Sequence, residues 1–117
     1  MKFNSKSHKR RFEREAKKIN NRNNTNLALL FLLTADGKLW HIAKHHINKD
    51  SIDIEHIKLK DNCEQTSYAL LAIAKDIALG TNYLPLRDLA DSSIITPKLF
   101  NITLTAMTIN RNGVNSK

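Results

Sequence analysis

Residues 67–79 are apolar around most of a helical circumference. Leu70, Ile73, Ala74 and Ile77 recur on one face, Leu71 and Ala78 widen it, and Lys75 and Asp76 interrupt it. A helix of this kind is stable only when other elements enclose it, so it is the expected centre of a core. Gly80 supplies its stop, because glycine readily takes the left-handed conformation that closes a helix. A chain of 117 residues has room for one such core. Three Gly and two Pro are too little punctuation for the many turns of a β-sandwich or barrel. The expected fold is all-α: a single domain over residues 1–117, built as a bundle of five or six short helices.

The flanking segments fit that class. Pro85 opens a short helix through Leu86, Leu89 and Ala90, as proline does at a first helical position. Thr96-Pro97 caps the last helix, which runs to about Arg111 with Leu99, Ile102, Ala106 and Ile109 towards the core. Asn112-Gly113 ends it, and residues 113–117 read as a frayed tail. Residues 20–26 form a polar linker ending in an N-cap at Asn24 or Thr25. Residues 27–34 favour helix, being rich in Leu and poor in β-branched residues, with Asp36-Gly37 as the stop. The alternative is a small β-hairpin over 27–47 around that Asp-Gly turn. In 38–47, Leu39, Ile42, Ala43 and His46 recur at helical spacing. Residues 51–59 alternate Ile52, Ile54 and Ile57 with acids, which fits a short strand, a helical turn or an extended loop burying isoleucines.

Charge is concentrated at the start. Nine of the nineteen Lys and Arg lie in the first 22 residues, opposed there by Glu13 and Glu15, so this segment carries +7 of the net +8. It reads as a helix over about 7–20. His8, Phe12, Ala16 and Ile19 make a thin apolar seam. Lys6, Arg10, Arg14 and Lys17 cluster on the opposite side, Arg11 and Lys18 widen that face, and Lys9 and Arg22 complete the set. Such a block is a surface for phosphate or another polyanion.

No comparable signal points to catalysis. His41 and His45 share a helical face at a spacing that suits zinc, but a catalytic H-E-x-x-H needs Glu where Ile42 stands. His46, His56 or Cys63 would have to complete such a site through the fold. A Cys63–His56 nucleophilic pair has no sequence signature, no glycine loop cradles phosphate, and the acids are scattered. The expectation is a protein that is not an enzyme and has neither cofactor nor metal. The lone Cys63 suits a reducing compartment, no secretory signal is visible, and the longest apolar run, 27–33, is too short to span a bilayer. A cytoplasmic location follows. The seam is also too thin to anchor the basic helix in a membrane by itself.

The opening Phe3-Asn4-Ser5-Lys6-Ser7-His8-Lys9-Arg10-Arg11-Phe12 is followed in order by the Leu-rich run, the apolar helix ending at Gly80 and the closing 99–111 helix. In this the chain resembles a family of small uncharacterised proteins from low-GC Gram-positive bacteria and their phages and plasmids. The resemblance implies a helical fold and a mobile-element origin; residues 38–62, with their His cluster, depart from it most.

The functional expectation is a binding protein docking nucleic acid or nucleoprotein through its basic helix. Four to six phosphate contacts predict an affinity that falls by roughly two to three orders of magnitude between about 50 and 200 mM salt. The face lacks Asn or Gln at base-reading spacing, the turn at 80–84 is too long for a helix-turn-helix, and aromatics are too few for stacking. Backbone binding is therefore expected over sequence reading. The alternative is an inhibitor or adaptor using the same face against an acidic protein or a host nucleoprotein complex, for example as an anti-defence factor.

Overall fold

A computed structural model describes residues 1–61 and 63–114. The helices are α1 (Lys6–Lys18), α2 (Asn24–Leu33), α3 (Gly37–Ala43), α4 (Gln65–Leu79), α5 (Leu86–Leu89) and α6 (Pro97–Asn112), and a 3-10 turn, Lys44–His46, continues α3. Among the described residues the only β pairing is an isolated antiparallel bridge between Ile47 and Ile52. The all-α class is as expected, and the hairpin over 27–47 is replaced by two helices.

Short polar side chains start most of these helices by accepting a hydrogen bond from an otherwise orphaned N–H of the first turn. Ser5 accepts from His8, Asn23 from Asn26, Asp36 from Leu39 and Thr96 from Leu99. Two expected boundaries move for this reason. The α2 cap is Asn23 rather than Asn24 or Thr25, and Asp36-Gly37 begins α3 rather than ending α2. Pro85 is the N-cap residue of α5, one position before the first helical residue. Gly80 takes φ 71°, the left-handed geometry expected at the end of α4. Val114, at the start of the expected frayed tail, is half-buried against the core; residues 115–117 lie outside the described residues.

The centre of the bundle is α2 rather than α4. Every residue from Leu27 to Ala35 is buried, and α2 packs against α1, α3, α4 and α6. Helix α4 buries Leu70, Leu71, Ile73 and Ala74, but its last turn is half-buried at Ile77 and Ala78 and exposed at Leu79. A seven-residue apolar run makes the better hub because it has no polar side to leave in solvent. Residues 51–59 form the extended loop of the three readings, burying Ile54 and Ile57.

Candidate polyanion interface

Helix α1 lies against the carbonyl end of α2, where the last helical C=O groups lack helical partners. Three side chains supply donors. Asn4 Nδ2 donates to Ala35 O at 2.9 Å, His8 Nε2 to Phe31 O at 2.8 Å, and Arg11 Nε to Thr34 O at 2.9 Å. The Arg11 charge also complements the negative end of the α2 dipole. His8 is fully buried, and the Asn4 N–H donates to its Nδ1 at 2.9 Å. That bond assigns the ring proton to Nε2, so the imidazole is neutral. Burial holds its pKa down at about 4, the Phe31 carbonyl opposes this, and the neighbouring Arg11 charge adds to it. Phe3, His8, Phe12 and Phe31 interlock here, with Phe12 and Phe31 edge-to-face at 5.7 Å. The expected seam of His8, Phe12, Ala16 and Ile19 is buried throughout.

This inner attachment fixes what the outer side presents. Lys6, Lys9, Arg10, Arg14, Lys17 and Lys18 are exposed. Arg14 and Lys18 both pair with Glu15, at 2.9 and 3.4 Å. Glu15 is half-buried between them, so the charges of Arg14 and Lys18 are partly neutralised within the chain. Lys6, Lys9, Arg10 and Lys17 make no ion pair among the described residues. From Lys6 to Lys17 the stripe is about 16 Å long, the rise of roughly five nucleotides of one duplex strand.

Two of the eight candidate cations donate to backbone carbonyls. Arg11 is half-buried on Thr34 O, and Arg22 Nη1 donates to Ala16 O at 2.7 Å, closing the carbonyl end of α1. One cation outside the basic block joins the stripe instead. Lys49 lines a hollow of about 460 Å³ with Lys17, Lys18, Asn20 and Asn48, floored by Ile19, Leu30 and Ile47. The Asn20 N–H donates to Lys49 O at 2.5 Å and its Nδ2 to Asp50 Oδ1 at 3.0 Å, which ties the 47–52 loop to the end of α1. No sequence pattern marks Lys49, since its proximity depends on that loop returning to α1.

The histidine cluster assembles less. His41 and His45 are exposed with ring centroids 6.3 Å apart, and His56 Nδ1 bonds Asp53 at 2.9 Å. Among the described residues, no three His, Cys, Asp or Glu side chains converge as a metal site. Cys63 is half-buried. Among the described residues no helix is long and apolar enough to cross a membrane. No family model, curated protein or solved structure matches the chain.

Proposed function

We propose that this protein is a non-enzymatic binding protein of the cytoplasm, encoded by a mobile element, that docks nucleic acid or nucleoprotein through the outer side of α1. The observation that carries the reading is the stripe of Lys6, Lys9, Arg10 and Lys17, solvent-facing and without ion pairs among the described residues, on a helix whose other side is pinned to α2. A helix fixed in this way holds the backbone positions of its cations before contact, so binding has to order their side chains but not the helix. Backbone contact is favoured over base reading, because residues 6–18 carry no Asn or Gln and the Asn20 amide just beyond them donates to Asp50.

Four cations neutralising four phosphates give a log–log salt slope of about −3.6, or roughly a hundredfold loss of affinity between about 50 and 200 mM salt. Fluorescence anisotropy on duplex DNA and RNA over that range tests the proposal. A slope near zero, or no binding at the low-salt end, overturns it. The second reading sends the same stripe into an acidic groove of a host protein or nucleoprotein, as an inhibitor or adaptor. The absence of a free base-reading amide on the stripe favours it. A pull-down from nuclease-treated lysate separates the two: a stoichiometric protein that is lost on reversing Lys6 and Arg10 supports this reading over direct nucleic-acid contact.

A further inference from the structure

The outer stripe of α1 runs into the hollow between the last turn of that helix and the 47–49 segment. At about 460 Å³ the hollow falls within the size range of small-ligand sites, about 300–1,000 Å³. Its rim comes from two segments distant in sequence, held together by the bonds of Asn20 to Lys49 O and to Asp50. Lys17, Lys18 and Lys49 line it. Glu15 lines it too and pairs with Lys18, whereas Lys17 and Lys49 make no ion pair among the described residues. Asn48 adds a donor. Its Oδ1 accepts from the N–H groups of Asp50 and Ser51, and its Nδ2 has no partner among the described residues.

The floor is different in kind. Ile19 is 4% exposed and Leu30 1%, with half-buried Ile47 beside them. Side chains so nearly covered lie flush with the surface and make a shallow apolar plane. An anchoring side chain of a protein partner needs a deeper socket. A free phosphate would use the rim and leave the floor wet. A continuous duplex would do the same, because its base faces are stacked inside it. An unpaired nucleotide uses both parts, since it carries a planar face next to an anionic phosphate. We infer that the hollow is a subsite for an unpaired nucleotide next to the nucleic acid on the α1 stripe. The inference rests on nucleic acid being the partner of that stripe, and it adds a preference for single-stranded ends. Lys17, Lys49 and Asn48 Nδ2 take the phosphate, and the base lies over Ile19, Leu30 and Ile47. Aliphatic side chains contact every base alike, so the subsite reads strand structure and not sequence.

Fluorescence anisotropy of the full chain at about 50 mM salt tests this with three kinds of probe. They are a blunt duplex, the same duplex with a short 5′ or 3′ overhang, and each overhang made abasic. At least one intact overhang should bind at least about fivefold tighter than the blunt duplex. Its abasic counterpart, with equal phosphates and no base, should lose most of that gain. Lys49→Ala, at an exposed position, should bring the ratio of overhang to blunt affinity towards one. Lys6→Ala, at the far end of the stripe, should weaken both probes and keep the ratio. Blunt binding with no gain from either overhang overturns the subsite and leaves the duplex reading standing. An abasic overhang as good as the intact one, or a wild-type ratio in Lys49→Ala, also overturns the subsite. A chain that binds none of the probes overturns both.

Discussion

The inner and outer sides of α1 are made from the same thirteen residues, yet they differ in what they leave unsatisfied. Inside, His8, Phe12 and Ala16 are buried, and the His8 and Arg11 donors go to backbone carbonyls of α2. Outside, Lys6, Lys9, Arg10 and Lys17 meet solvent. Net charge treats Arg10 and Arg11 alike, although they are adjacent and do different work. A guanidinium held by a carbonyl of its own chain serves the fold. One held by water is available to a partner.

The comparison breaks first at Phe12. Packed between Phe3 and Phe31, it should cost about 3–5 kcal/mol on replacement by Ala, read as a shift in urea midpoint at constant slope. A loss below about 1 kcal/mol would mean that α1 is not packed as described.

Acid comes next. Unfolded His8 takes up its proton near 6.5, whereas the folded chain does so only near 4. Between those values the unfolded state binds more protons, so stability is complete above about pH 6.5 and declines as pH falls towards 4. The loss attributable to His8 is about 3 kcal/mol. Urea titrations across that window should show it, and a His8→Gln variant should lack the His8 share of the dependence.

A smaller effect separates the adjacent arginines. Arg11→Met leaves the Thr34 carbonyl without its donor and should cost about 1–2 kcal/mol, while Arg10→Met should stay within about 0.5 kcal/mol of wild type. Equal effects would erase the distinction between the two sides.

Much of this arrangement is legible in the sequence where the cause is local. The seam of Phe12, Ala16 and Ile19 follows from helical periodicity, and the stops at Gly80 and Gly113 follow from glycine's access to positive φ, 71° and 83°. The sequence misleads where contacts distant in it decide the outcome. Asp36-Gly37 resembles a helix stop, but Asp36 caps α3 and also accepts a bond from Ser67 Oγ at 2.5 Å, a partner 31 residues away. The apolar pattern of α4 is the longer one, which is why it reads as the centre. The shorter run of α2 became the hub because four helices surround it. A helical wheel put Arg11 at the edge of the cationic face and could not show that the end of α2 lies beside it. Lys49 was invisible for the same reason.

The most direct measurement places both sides of α1 in one experiment. Lys6, Arg10 and Lys17 are reversed to Glu together, and the thermal midpoint and the affinity for duplex DNA and RNA at about 50 mM salt are read on the same preparation. The expected result is a midpoint within a few degrees of wild type, because all three are exposed and make no ion pair among the described residues, with affinity reduced at least a hundredfold. Retained affinity would contradict the assignment of the outer side to binding, and a collapsed midpoint would show that these cations hold the fold together instead.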